Sequence, residues 1–300
     1  MATLITKLQY RNYETGEFTG EKERTLAETF ALISSYPWEE QRQRVSMALT
    51  NPSVTIQGPA GEFLKLAIYF NGSFVLYYLD AAHHLYTRKL NSVAEASSPI
   101  SNFFTQQTSG ATFDHEGFHR EQTPFQNNAV HFRDKSFSYT ASPLLLTLPV
   151  IFIGFTTFFL FAILTHLRSA LHAQPYGYLS LLPCILLTLV TVPITILYAN
   201  HWRAARGRVL ILSRGKDIFY YGPADSPTAY SKDDILEVVT VGARGRNGYP
   251  RTTQVEIDFK NGTALYLSCL LLPQYEMVSK FPQCRQRTQK TIFPFIPAGS

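Results

Sequence analysis

Cysteine is scarce, three residues in 300, and the three stand apart: Cys184 lies inside an apolar run, while Cys269 and Cys284 are isolated. That spacing excludes a secreted disulfide framework and any Cys-x-x-Cys metal motif. Phosphate-cradling glycines are missing too. Gly242-Ala243-Arg244-Gly245-Arg246-Asn247-Gly248 lacks both the Lys-Ser/Thr ending of a phosphate loop and the spacing of a dinucleotide loop. No stretch joins a dense basic face to a nucleic-acid motif, so nucleic acid is not among the expected partners. Met1 to Arg24 is polar with no apolar core, so no cleavable signal peptide is expected there. The most consequential gap is in charge: Asp, Glu, Lys and Arg are absent between Lys135 and Arg168, and again between Arg168 and Arg203.

Apolar residues fill both gaps. The first holds Leu144-Leu145-Leu146, Val150-Ile151-Phe152-Ile153 and Phe158-Phe159-Leu160-Phe161; the second, Leu179 to Tyr198, is nearly all Leu, Ile and Val. Each run reaches the ~20 apolar residues that cross a hydrocarbon core of ~30 Å. The expectation is a transmembrane hairpin over 142–202, with spans at about 143–165 and 177–199. Pro149, Pro183 and Pro193 each remove a backbone donor, and Thr147, Thr156, Thr157, Thr188, Thr191 and Thr195 can bond freed carbonyls or the facing helix. With no ionisable residue inside the runs, a transport path is not expected.

Charge sets the expected orientation. Up to Ala141 there are 12 Lys+Arg against 14 Asp+Glu; from Ser142 onward there are 15 against 8. Arg133 and Lys135 precede the hairpin, Arg203, Arg206 and Arg208 follow it, and the intervening turn carries only Arg168. Positive charge gathers on the cytoplasmic side, so both termini are expected there, with Arg203, Arg206 and Arg208 as juxtamembrane contacts to anionic headgroups.

The flanks are patterned like globular protein. Thr25-Leu26-Ala27-Glu28 fits a capping box and predicts a helix to about Ser35; Pro37 can open a second helix, Trp38 to Leu49. Strands are predicted over Ser53–Gln57, Glu62–Phe70, Ser73–Asp80 and His84–Leu90, the middle two joined at Asn71-Gly72. Residues 1–90 are therefore expected to form a small α+β domain, with Phe30, Trp38, Leu64, Leu66, Ile68, Phe74, Leu76 and Tyr78 as core. Residues 91–141 turn to Ser, Thr, Gln, Asn and Phe, the composition of a polar, aromatic connector. Beyond the hairpin, short strands are predicted at Arg208–Leu212, Ile218–Tyr221, Leu236–Val241, Gln254–Phe259 and Ala264–Cys269, followed by a helix at Pro273–Phe281 and a flexible tail over 284–300.

That order of strands, the Tyr-Ser-Lys-Asp-Asp-Ile turn at Tyr230–Ile235, the Val-Glu-Ile-Asp-Phe-Lys-Asn-Gly-Thr hairpin at Val255–Thr263 and the closing helix resemble the bacterial PH-like domain family, many members of which follow two membrane spans. The resemblance covers roughly Arg208 to Pro282 plus the hairpin; it implies, for a domain over 208–283, an antiparallel sandwich or barrel capped by a helix and used for binding. It also places the chain, as an expectation, in a bacterial inner membrane as a multi-pass protein with cytoplasmic domains.

Two groups of residues invite a chemical reading. His115-Glu116-Gly117-Phe118-His119 matches the H-E-x-x-H pattern of zinc hydrolases, in which the histidines hold metal and the glutamate activates water. Gly117 and the polar surroundings argue against the helix that this chemistry needs, so no metal, cofactor or catalytic residue is expected. His83-His84 is adjacent on the chain, which points the two rings apart. Arg244, Arg246 and Arg251 gather on one Gly-rich loop, where guanidinium groups can reach phosphate oxygens or an acidic partner; the alternative is a solvated hairpin tip. The sequence thus predicts a non-enzymatic, membrane-anchored binding or scaffolding protein that meets the bilayer, a protein partner or anionic lipid headgroups. Its rivals are an immunity protein against a secreted toxin and the zinc hydrolase.

Overall fold

The computed structural model describes residues 2–42, 50–69, 72–106, 128–142, 147–170, 182–243, 253–291 and 293–297. They divide into two units, Met1–Ser136 and Phe137–Ser300.

The first unit runs β1 (Thr3–Gln9), β2 (Thr19–Thr25), α1 (Leu26–Ser35), α2 (Trp38–Gln41), β3 (Ser53–Gln57), β4 (Phe63–Ile68), β5 (Phe74–Leu79), β6 (Leu85–Leu90) and α3 (Ser97–Phe104). Its six strands form one antiparallel sheet in the order β2-β1-β3-β4-β5-β6. Period-two alternation sorts the side chains between two covered faces. Leu64, Leu66 and Ile68 of β4 and Phe74, Leu76 and Tyr78 of β5 pack with Ile33 of α1, Trp38 of α2 and Ile100, Phe103 and Phe104 of α3. The alternate set, Phe63 and Ala67 with Val75, Tyr77 and Leu79, lies under Ala129 and Phe132. Lys65 belongs to that second face and is fully buried in it, as is Lys7 of β1. The helix start behaves as its sequence dictates: Glu28 N donates to Thr25 Oγ1 at 3.3 Å, and Thr25 N to the Glu28 carboxylate at 2.8 Å.

The second unit runs β7 (Ser138–Thr140), α4 (Thr147–Ala170), α5 (Leu182–Ala205), β8 (Arg208–Ile211), β9 (Ile218–Pro223), β10 (Thr228–Ser231), β11 (Ile235–Ala243), β12 (Gln254–Phe259), β13 (Ala264–Ser268), α6 (Gln274–Ser279) and β14 (Arg285–Thr291). Two four-stranded sheets result, β10-β9-β8-β7 and β13-β12-β11-β14. All pairings are antiparallel except β11 with β14. One core is shared by both sheets: Leu210, Phe219 and Tyr221 come from one, Val238, Val255, Ile257 and Leu267 from the other, and Met277, Phe281, Tyr198 and Ala205 join them. Because β7 pairs with β8, the two long helices are an insertion between neighbouring strands of one sheet.

Within that insertion the threonines bond as their chemistry requires. Thr156 Oγ1 donates to Thr191 Oγ1 at 2.9 Å, joining α4 to α5, while Thr157, Thr165 and Thr195 return their hydroxyls to carbonyls four residues back. Outward from this seam Phe158, Phe161, Leu164 and Leu189 are exposed.

The reading of 142–202 as a transmembrane hairpin is corrected here: among the described residues, no helix is long and apolar enough to cross a membrane. In the last turns of α5, Leu197, Tyr198, His201 and Ala205 are buried, so the apolar content there is spent on protein. The fold class is corrected accordingly to a β-rich chain, with three sheets and six α-helices among the described residues. With the spans fall the placement in a bacterial inner membrane and the partner role of the bilayer as an anchor.

Candidate functional site

Two turns of the second unit face one another across a cleft of about 530 Å³, lined by Tyr230, Ser231, Asp234, Phe259, Lys260, Asn261 and Thr263. Each turn is fixed by local chemistry. Ser231 ends β10 and its hydroxyl accepts from Asp233 N at 3.2 Å, capping the single turn Lys232–Asp234. Opposite, Asn261-Gly262 closes the β12–β13 hairpin: Gly262 sits at φ 82, where a Cβ would be strained, and Asn261 Oδ1 accepts from Thr263 N at 2.9 Å and Thr263 Oγ1 at 2.6 Å. Lys260 N donates to Asp234 O at 2.8 Å and Lys260 Nζ to Asp233 O, which stitches one rim to the other.

The floor is aromatic. Tyr230 stacks between Phe219 (5.3 Å, 22°) and Phe259 (5.5 Å, 24°), and Phe281 meets Phe219 edge-on at 5.8 Å. Behind the turn, Lys232 Nζ donates to the carbonyls of Ser213 (2.6 Å), Arg214 (3.0 Å) and Lys280 (3.2 Å). Three bonds employ the three hydrogens of the ammonium, so Lys232 braces the cleft rather than reaching into it. The cleft therefore offers one carboxylate, one ammonium already engaged, an amide and three hydroxyls, one of them the phenol of Tyr230, over an aromatic base. Its charges balance, which suits a polar, near-neutral segment better than a phosphate.

A second hollow, of about 460 Å³, lies in the first unit against Tyr36, Trp38, Glu39, Arg42 and Phe74. Its polar atoms serve the fold: Tyr36 Oη donates to Gln9 O at 2.6 Å, Trp38 Nε1 to Ile33 O at 2.8 Å, and Arg42 pairs with Glu39 at 3.2 Å while lying over the Phe74 ring.

The residues singled out from the sequence fare differently. Arg203 and Arg206 are exposed at the end of α5, whereas Arg208 donates to Tyr221 Oη at 3.0 Å and lies 5.5 Å from that ring, a packing role. Arg244, Arg246 and Arg251, and likewise His115, Glu116 and His119, lie outside the described residues. His84 pairs with Asp80 at 3.0 Å in an exposed turn, and among the described residues no group of His, Cys, Asp and Glu could hold a metal. Burial pushes the Cys269 thiol up to about 11 and raises that of Cys284, so both are held in the unreactive thiol form. Tyr230, Asn261 and Thr263 were not singled out as site residues, yet they belong to the two turns whose sequence carried the family resemblance.

No curated protein and no solved structure matches the chain. The family model described as PH domain matches residues 130–280, half of the chain, from before β7 through the helical insertion to the end of α6. With two sheets around one core and a short helix packed on them, the chain belongs to the PH-domain family.

Proposed function

We propose that the chain is a non-enzymatic binding and scaffolding protein whose PH domain takes a polar protein segment in the cleft between the Ser231–Asp234 turn and the Asn261-Gly262 turn. The observation that supports this reading is the charge balance of that cleft, where Asp234 faces the already engaged Lys260 above a stacked aromatic floor. An anionic headgroup would need several free cations held close together. A peptide needs donors, acceptors and a flat apolar base, and Asn261, Thr263, Ser231 and Tyr230 supply them.

The test is selection of peptides from a random displayed library on the full chain, with soluble inositol phosphates titrated in parallel. Selected peptides should bind saturably and lose about tenfold in affinity with Asn261→Ala or Tyr230→Ala, on the scale of one or two lost hydrogen bonds or ring contacts. Inositol phosphates binding more tightly than any selected peptide, with affinity lost in Lys260→Ala, would reverse the assignment of ligand class.

A further inference from the structure

The stretch Phe293–Pro297 alternates in burial: Pro294 and Ile296 are buried, Phe293 and Phe295 exposed, and Phe295 N donates to Phe293 O at 3.0 Å, a tight turn centred on Pro294. Its backbone is read by two consecutive side chains of α5. Asn200 Nδ2 donates to Ile296 O at 3.0 Å while Asn200 Oδ1 accepts from Ile296 N at 2.8 Å, so one side-chain amide copies the paired bonds of a neighbouring strand. His201 takes the carbonyl two residues earlier. Its Nε2 lies 2.8 Å from Pro294 O, and because a carbonyl can only accept, the proton sits on Nε2. Nδ1 is then an acceptor, and Ser268 Oγ at 3.2 Å donates to it while accepting from Leu270 N at 3.3 Å.

His201 and Ser268 are both fully buried. A buried polar chain of this kind costs free energy unless every member is satisfied, and here the carbonyl of Pro294 satisfies the last one. The arrangement matches what strand-type peptide recognition requires: main-chain groups gripped by fixed partners, alternate side chains inserted, the others left outside.

We propose that the end of α5, with Ser268 of β13, is a peptide-binding clasp for Pro-x-aliphatic segments, and that the chain's own Pro294-Phe295-Ile296 is its resident ligand. The clasp is distinct from the cleft at Tyr230 and does not depend on what that cleft binds. Tethering fixes the competition: a segment held in cis by a short connection acts at roughly millimolar effective concentration, so a free peptide at micromolar concentration does not displace it. Access in trans comes only when the resident segment cannot seat.

The experiment uses the full chain and a fluorescent peptide with the sequence of residues 291–298, followed by anisotropy. Ile296→Asp, which puts a carboxylate where an aliphatic side chain is buried, should bind the peptide saturably. The unaltered chain should bind it at least tenfold more weakly, and a peptide carrying Asp at the position of Ile296 should not bind. Asn200→Ala in the Ile296→Asp background should weaken binding at least tenfold. Failure of a folded Ile296→Asp chain to bind, or equal binding of both peptides, overturns the proposal. Independently of any variant, hydrogen exchange on the unaltered chain should show the Ile296 amide protected and the amide of Phe293 faster; an unprotected Ile296 amide overturns it as well.

Discussion

Lys65 Nζ donates to Gln9 Oε1 at 2.8 Å on a sheet face otherwise lined by Phe63, Ala67 and Phe132. Alternation puts it there: β4 sends Leu64, Leu66 and Ile68 to the helix side, so position 65 must face the other. Burial, with the nearby Lys7 charge, brings its ammonium down to about 7. Because the folded value lies below the unfolded one, the unfolded chain holds the extra proton between pH 7 and about 10.4, and stability must rise with pH across that window. Denaturant titrations from pH 7 to 9.5 should show this rise for the first unit, and Lys65→Met should flatten it. A slope unchanged in Lys65→Met would remove Lys65 as its source. Above about pH 10 the buried tyrosines oppose the trend, since burial raises Tyr77 to about 12.

At the start of α1 the reciprocal bonds of Thr25 and Glu28 satisfy two amides that no helix turn can reach. Thr25→Ala should lower the stability of the first unit by about 1 kcal/mol in urea melts, and Thr25→Ser should recover most of it. Equal losses in both variants would assign the effect to packing of the threonine methyl.

Gly16 sits at φ 76, and a Cβ built there would stand 2.7 Å from Lys135 Cβ. Its carbonyl also accepts from Lys135 N at 2.8 Å, which fastens the segment that covers Lys65. Gly16→Ala should therefore cost about 1–3 kcal/mol by strain and overpacking, read from the midpoint of thermal unfolding. A neutral substitution would mean that the segment moves aside at no cost.

Burial holds the His201 imidazole below its usual range, against the opposing effect of its bond to Pro294 O. A base depressed in the folded state contributes stability above its unfolded value, ~6.5, and loses it as pH falls toward the folded value. Carboxypeptidase digestion between pH 7.5 and 5 should accelerate on the acid side, and more so than in His201→Gln, which keeps a donor but cannot titrate. Identical profiles would separate the tail from His201.

Much of the first unit was legible because its signals are local. The capping box and the period-two runs of β3, β4 and β5 each act over fewer than ten residues. β1 and β2 were not, since Thr19–Thr25 carries no apolar alternation and is an exposed edge. Nor was β14, whose Arg285–Thr291 contains no apolar residue and whose parallel partner β11 lies about fifty residues upstream. Hydropathy misled at α5 because it counts apolar residues without knowing what buries them; Tyr198 and Ala205 are claimed by the β core. The cleft illustrates the same limit: Tyr230 and Asn261 announce turns in the sequence, but that the two turns face each other is a property of the sheets.

Ser138 of β7 pairs with Ile211 of β8, and Thr140 with Val209, although the paired positions lie 69 to 73 residues apart. Closing a flexible loop of that length costs about 4 kcal/mol, since the penalty grows as (3/2)RT ln n. A three-residue strand cannot repay that alone. Pairing of α4 with α5, through contacts such as Thr156 with Thr191, lowers that cost by holding the two chain ends side by side where β7 adds to its sheet. The helical insertion thus acts as a splint that keeps β7 beside β8.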